Sequence, residues 1–331
     1  MQQVIIKTTE AGQRFDKFLK KYLPEASGSF LYKMLRKKNI VLNEKKADGS
    51  EKLTAGDAVS FFFSEETFEK FRGNAGKVAS QADTLMLQAK KAYKKYGMLQ
   101  VLYENEHILL VNKPAGMLSQ KAKPEDISLN EWLIGYLLHN GAVTPESLRM
   151  NRPSVCNRLD RNTSGIVICG KTLYGSQQMG AVLKDRSLHK YYLLYVEGKM
   201  EKEQRLEGYL LKDESENQVR IFDTMQPGCS KIITFYRPLA VYEEETLVEV
   251  ELITGKTHQI RAHLASIGYP LVGDPKYGKE ALNRRRRAQG IQHQLLHAYR
   301  VIFPRLTGEL SELSEREIKA PLPRLFKRIK E

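Results

Sequence analysis

Between Met98 and Glu331 the chain carries short apolar runs of strand length, and the intervals between them are seldom helical. The runs are HILLVN (107–112), IVIC (166–169), YYLLYV (191–196), KIITFYR (231–237) and TLVEVEL (246–252). Helical patterns such as LNEWLIGYLLHN are fewer and irregularly placed. A doubly wound parallel sheet needs a crossover helix after each strand, so this spacing points instead to an α+β domain over residues 98–331 with a mixed, mostly antiparallel sheet.

Residues 12–63 form a second, smaller unit. Phe15, Phe18, Leu19, Tyr22 and Leu23 recur at helical spacing until Pro24 ends the pattern, and a new helix start follows at Ser27 or Ser29, with Phe30, Leu31, Met34 and Leu35 as its stripe. The period then changes to that of strands in IVLN and AVSFFF, separated by the turn signals Asp48-Gly49 and Ala55-Gly56-Asp57. The expected unit is helix, helix, hairpin. Lys33, Arg36, Lys37 and Lys38 fall at the end of its second helix and Lys45 and Lys46 in the hairpin, a positive face suited to gripping a phosphate backbone without reading sequence. Residues 64–97 are polar and read as a basic linker, with Lys90, Lys91, Lys94 and Lys95 on a short helix that faces either RNA or solvent.

Charge supports the same reading, because 53 Lys and Arg against 39 Asp and Glu leave a net +14. Such a field favours a polyanion, with nucleic acid the first candidate. The three cysteines, Cys156, Cys169 and Cys229, are widely spaced without C-x-x-C, which argues against a disulfide framework or a zinc ribbon. The N-terminal MQQVIIKTTEAGQ has no signal-peptide pattern and no run approaches the roughly 20 apolar residues of a membrane span, so a cytoplasmic, monomeric protein without membrane contact is expected.

One stretch, NRLDRNTSGIVICGKT (157–172), contains the phosphate-loop pattern G-x-x-x-x-G-K-[ST]. A phosphate loop needs a buried strand before its first glycine and a flexible turn between the glycines; here turn residues precede Gly165, and IVIC, a strand former, lies between Gly165 and Gly170. The match reads as a strand bounded by two glycines, and a nucleotide-dependent enzyme becomes the rival reading. His293 and His297 have zinc-helix spacing, but Gln294 stands where a base is needed. Cys156 has no local signature of a nucleophile, and no dinucleotide fingerprint occurs. The first half of the stretch is chemically richer, since Asp160 lies between Arg158 and Arg161 in a loop that runs into the strand. A carboxylate so flanked suits a nucleophile or charge stabiliser better than a proton donor.

Two resemblances extend this reading. Arg14, Asp16, Leu19, Val41, Asn43 and Ala55 to Asp57 match the pattern of the S-four-type RNA-binding domain. NKPAG (112–116), NRLDRNTSG (157–165), KYYLLYVEG (190–198) and TGKTHQIRAHLASIGYPLVGD (254–274) resemble, in order and approximate spacing, the motifs of the RluA/RluD-type pseudouridine synthases, and the N-terminal unit completes the architecture of the RluC and RluD branch. The resemblance implies isomerisation of uridine to pseudouridine in RNA, most readily large-subunit ribosomal RNA or a ribosome precursor. It implies Asp160 as the catalytic aspartate, Tyr192 stacking on the base and assisting proton removal, Arg261 pairing with Asp160, and Arg158 filling the gap left by the flipped nucleotide. No metal, nucleotide or redox cofactor is implied. Asn157 stands where the family usually has His and Asn162 where Asp is common, and the Arg284–Arg287 run is available to RNA. The carboxylate can begin the reaction either by attacking the anomeric carbon or by taking the ribose 2′ proton. A non-catalytic RNA-binding factor that keeps the fold is the other rival.

Overall fold

The computed structural model of the chain describes residues 1–8, 10–72, 75–213 and 218–327. Small parts of the expected linker (73–74) and of the expected catalytic segment (214–217 and 328–331) lie outside the described residues.

The N-terminal unit contains β1 (Gln2–Ile5), α1 (Phe15–Tyr22), α2 (Gly28–Arg36), β2 (Ile40–Leu42), β3 (Lys45–Lys46), β4 (Ala58–Phe61) and α3 (Glu65–Arg72). Its antiparallel sheet has the order β1-β4-β2-β3. Ser27 caps α2 by accepting from the Phe30 amide at 3.2 Å. Asn43 and Glu44 both take positive φ, 50° and 62°, which is what a two-residue hairpin turn between β2 and β3 requires. The Asn43 side chain also accepts from Ala58 N at 2.8 Å and donates to Asp57 at 2.9 Å, so the V-x-L-N and A-G-D motifs are one hydrogen-bonded corner. Asp16 performs a similar task between helices, accepting from Tyr32 on α2 and from Arg14, each at 3.1 Å.

This unit is larger than residues 12–63. β1 escapes a periodicity reading because four residues of alternating burial are too short a signal, yet it pairs with β4 along its whole length. Residues 65–72 are no linker: Phe68 is buried in the same core, edge-on to Phe61, and Phe71 lies 4.3 Å from Phe30 between ring centroids. The acidic residues around those two phenylalanines hide the helical stripe. The rest of the expected linker is α4 (Ala75–Tyr96), which buries Ala89 and Ala92 against the next helix.

The larger unit begins with β5 (Val101–Glu104), β6 (Ile108–Lys113), α5 (Leu129–His139), α6 (Pro145–Met150), β7 (Ser154–Val155), β8 (Ser164–Gly170) and α7 (Leu173–Lys184). It continues through β9 (His189–Glu197), β10 (Gln204–Asp213), β11 (Gln218–Phe222), β12 (Ser230–Val241), β13 (Glu245–Leu252), α8 (Gln259–Ser266), α9 (Glu280–Ala288), β14 (Leu296–Ile302), β15 (Glu317–Lys319) and α10 (Arg324–Lys327). These strands form one sheet in the order β11-β10-β12-β13-β9-β14-β8-β6-β5, with β15 beside β14 and β7 beside β8. Among the described residues β8 and β14 are its one parallel pair, so the expected mixed and mostly antiparallel sheet is found.

Alternation along β8 divides the core. Val167 and Cys169 face Trp132 and Leu133 of α5 together with Leu194 and Val248, while Ile166 and Ile168 face Met179 of α7 and Phe303. α5 starts at Ser128, which with Glu131 makes a capping box. It accepts α4 at very close range, because a Cβ on Gly135 would stand 2.4 Å from the carbonyl oxygen of Ala89.

Candidate active site

Asp160 projects from the loop between β7 and β8, and that loop is tied down at Asn157, Leu159 and Arg161. Asn157 accepts from the Ile168 amide at 2.8 Å, and the hydroxyl of Ser119 donates to Leu159 O at 2.8 Å while accepting from Leu159 N at 3.0 Å. Gly116 N and Lys113 Nζ both donate to Arg161 O, at 2.9 and 3.1 Å. Asn157 is therefore a structural pin. At the start of β8, Gly165 takes φ +113° with its α-carbon so near β14 that a Cβ would be 2.1 Å from Ala298 O.

Arg261 reaches Asp160 from α8. It is 4% exposed, and its Nη1 donates to Asp160 Oδ2 at 3.1 Å while Nε and Nη2 donate to the two oxygens of Asp274 at 2.7 and 2.8 Å. Burial by itself would lower the guanidinium's proton affinity; the carboxylates of Asp274 and then Asp160 outweigh it and raise that affinity above its ordinary value. The expected pairing of Asp160 with Arg261 is thus present in the geometry, with a second, buried carboxylate behind it.

His258 precedes α8 in a left-handed conformation at φ 53°. Gln259 makes this turn rigid by accepting from Thr254 Oγ1 and Lys256 N and by donating to Ile233 O and Thr234 Oγ1. The His258 Nε2 atom stands 3.8 Å from Asp160 Oδ2, and Nδ1 lies 3.0 Å from the Tyr277 hydroxyl. That hydroxyl already accepts from Val219 N at 3.0 Å. With the hydroxyl donating to Nδ1, the tautomer that places the Nε2 N–H toward the carboxylate is the one that pairs both ring nitrogens. Burial lowers His258 below its ordinary value, although Asp160 pulls the other way.

Tyr192 lies on β9 opposite Ala298 of β14 and Val250 of β13, 6% exposed. Burial, and secondarily the charge of Asp160, push its phenol well above the ordinary value, so the hydroxyl is neutral. Lys113 is fully buried with its ammonium on Met117 O at 2.7 Å and on Pro114 O and Arg161 O at 3.1 Å. Burial brings it down to about 7, opposed by Asp160. Lys113, His258, Tyr277 and Asp274 carry no assigned role in the sequence reading, although all but Tyr277 fall in quoted motifs; each acts through burial and distant partners that spacing does not reveal.

The remaining candidates are placed as follows. Arg158 is exposed beside Asp160 in the chain, and Lys33, Arg36, Lys37, Lys38, Lys45 and Lys46 are exposed on the small unit with no ion pair among the described residues. The Arg284–Arg287 run is mostly committed elsewhere: Arg285 pairs with Glu244, Arg286 is buried on Glu197 and Glu245, and Arg287 pairs with Glu280. In the phosphate-loop pattern, IVIC is strand β8, Thr172 caps α7 by accepting from Gly175 N, and Lys171 binds Glu104 and Asn105 O at 2.7 Å. A helix does follow the Lys-Thr pair, but a paired strand occupies the place of the loop. Burial raises Cys156 to about 11, which leaves little thiolate near neutrality. His297 is buried on β14 with Nδ1 2.8 Å from Ser164 Oγ, and no cluster of metal-ligating side chains occurs among the described residues.

The comparisons place the mixed sheet that carries this site in a family. The RNA pseudouridylate synthase family matches residues 107–266. A Mycoplasma genitalium protein described as an RNA pseudouridine synthase is 32% identical over 89% of this chain and 86% of its own length. Ribosomal large subunit pseudouridine synthase C of Escherichia coli is 30% identical over 98% of this chain and 94% of its own, and that of Vibrio cholerae 30% over 94% and 90%. The structure of human RNA pseudouridylate synthase domain containing 4 shares the fold, with a TM-score of 0.55 at 19% identity, covering 74% of this chain and 94% of that one. This chain belongs to the RNA pseudouridine synthases.

Proposed function

We propose that the chain isomerises uridine to pseudouridine in large-subunit ribosomal RNA, with Asp160 as the reacting carboxylate. One observation carries the assignment: Oδ2 of Asp160 is held by Arg261, whereas no hydrogen bond reaches Oδ1 among the described residues, and the side chain is 26% exposed. A carboxylate fixed by one oxygen and open at the other can be presented to a ribose in a single orientation. The reaction breaks the bond from C1′ to N1, turns the uracil, joins C1′ to C5, and moves the C5 proton away while N1 is protonated. Attack at C1′ and removal of the 2′ proton both begin at Oδ1. Tyr192 supplies an aromatic face for the uracil, and its neutral hydroxyl can take up a proton only by giving up its own.

The small unit is proposed as an S-four-type RNA-binding domain, with Lys33, Arg36, Lys37, Lys38, Lys45 and Lys46 on phosphates, and Arg158 as the side chain that fills the space of the extruded nucleotide. Extrusion costs a few kcal/mol, which such contacts offset. The reading includes a monomer working in the cytoplasm; among the described residues no helix is long and apolar enough to cross a membrane. Purified protein incubated with large-subunit ribosomal RNA should form pseudouridine, and Asp160→Asn should form none while RNA affinity stays within a few-fold. Turnover retained by the variant would remove Asp160 from this role, and absence of turnover by the native protein would favour a non-catalytic RNA-binding factor.

A further inference from the structure

α4 has one face built for contact with the protein and another whose positive charges have no acidic partner among the described residues; Lys95 alone contacts protein, its ammonium 5.1 Å from the Tyr96 ring centroid. Ala89 and Ala92 are fully buried, and Ala89 meets Gly135 of α5 at backbone distance, so the helix is fixed rather than loosely laid on the surface. On the opposite face Lys90, Lys91, Lys94 and Lys95 are all exposed. They fall at positions i, i+1, i+4 and i+5, two rows one helical turn or about 5.4 Å apart. No acidic residue stands between Asp83 and Glu104, and none of the four lysines enters an ion pair among the described residues. Solvated helices usually interleave both signs of charge, which this one does not.

The stripe is also connected to the site. α5, on which α4 packs, shares a core with Tyr192 and Leu159, so α4 lies on the side of the sheet that carries Asp160. Gln88 on α4 accepts from Lys121 Nζ at 2.5 Å and donates to Pro124 O at 3.4 Å. The same loop contains Ser119, which is bonded to Leu159 next to Asp160, and it presents the exposed Lys123 between Lys121 and Pro124, the two residues that bond Gln88.

We propose that Lys90, Lys91, Lys94 and Lys95 of α4, continued by Lys123, form a phosphate-binding rail that holds the RNA strand flanking the modified uridine. The proposal rests on the pseudouridine synthase reading for its choice of RNA as the polyanion. The rail reads no sequence, since lysine ammonium groups contact phosphates as point charges. Its rigid seat on α5 sets the path of the strand relative to Asp160, which a mobile linker of the same composition would not do.

The test is the salt dependence of binding, measured with a labelled transcript of large-subunit ribosomal RNA. The combined Lys90→Gln, Lys91→Gln, Lys94→Gln and Lys95→Gln variant should bind at least about ten-fold more weakly at low salt, with the slope of log affinity against log salt reduced by roughly 3, about 0.7 for each lost phosphate contact on a single strand. The four-fold Lys→Arg variant should restore both quantities. If circular dichroism shows that the four-fold Gln variant loses helix, the Lys94→Gln, Lys95→Gln pair should give half the slope change. An unchanged slope with unchanged affinity in the folded Gln variant overturns the proposal. Failure of the native protein to form pseudouridine overturns the underlying reading instead, so the two failures are distinguishable.

Discussion

Asp274 holds Arg261 side-on, both carboxylate oxygens accepting from Nε and Nη2 at 2.7 and 2.8 Å, and so leaves one guanidinium nitrogen, Nη1, directed at Asp160. The grip is itself braced, because Lys276 N and Tyr277 N donate to Asp274 Oδ1 and Asn283 Nδ2 donates to Asp274 O. Asp274 is completely buried and acts on the site through Arg261. It is therefore a positioning residue. Asp274→Asn should leave a buried, half-paired guanidinium and cost on the order of 3–5 kcal/mol of stability, whereas Asp160→Asn, at a partly exposed position, should cost much less. Thermal melting of the two variants checks the order: equal losses would mean that Arg261 is not held mainly by Asp274.

The tautomer of His258 gives a second expectation. Tyr277→Phe removes the donor to Nδ1 and the acceptor for Val219 N, so the imidazole loses the partner that fixes Nε2–H toward Asp160. The charged and titratable groups facing this ring are Asp160, Arg261, Lys276, Asp274 and Tyr277. Burial keeps His258 neutral to lower pH than a free histidine, so activity should persist through pH 6.5 and decline only below it as the ring charges. His258→Gln, which keeps an N–H donor without titrating, should show a flatter acid limb. An identical acid limb in both proteins would assign that titration to another group.

The parts of this arrangement that the sequence announces are those encoded locally. Asp160, Tyr192 and Arg261 lie in recognisable motifs, and the strands IVIC and TLVEVEL have the period and composition of β8 and β13. What spacing conceals is long-range. Lys113 reads as one more cation in a turn, yet it is buried on three carbonyls, one of them 48 residues away. The four residues of β1 and the phenylalanines of α3 join the small core only through partners far along the chain. Even the arginines 284–287, which read as a free basic run, are paired mainly with Glu197, Glu244, Glu245 and Glu280. Local pattern records which face of an element is apolar; it does not record which charge will find a buried counter-charge.

Gly165 is the joint between the Asp160 loop and β8, and its replacement should be among the most damaging single changes. At φ +113° an L side chain is strained, and a Cβ would overlap the backbone of Ala298, which cannot rotate aside as a side chain could. Gly165→Ala must push β8 away from β14 at their parallel contact, where His297 pairs with Ser164. The expected result is a loss of several kcal/mol, seen as a large drop in melting temperature or as insoluble protein. Gly116→Ala is a useful comparison: its φ is +86° but its Cβ position meets nothing within 4 Å, so only backbone strain applies and the loss should be smaller. Similar melting temperatures for the two variants would contradict the overlap argument.

Acid should weaken the fold well before the carboxylates titrate. His263 and His297 are 3% and 0% exposed, Nδ1 of each lies beside a hydroxyl, that of Thr234 or Ser164, and burial lowers both to about 4. In the unfolded chain each would titrate near 6.5. Between those values the unfolded state binds protons that the folded state refuses, so stability is full above pH 6.5 and falls as pH drops toward 4. A difference of that size corresponds to roughly 3 kcal/mol for each histidine as an upper bound. Asp16 and Asp57 also titrate below their ordinary value in the folded chain, net of a burial effect that acts the other way, but their loss occurs below pH 4 and is separable. Melting temperature measured from pH 7 to pH 5 should therefore decline, with His258 adding to the effect of His263 and His297, and His263→Gln should make the decline shallower. A melting temperature constant over that interval would show that neither histidine is neutral by force of burial.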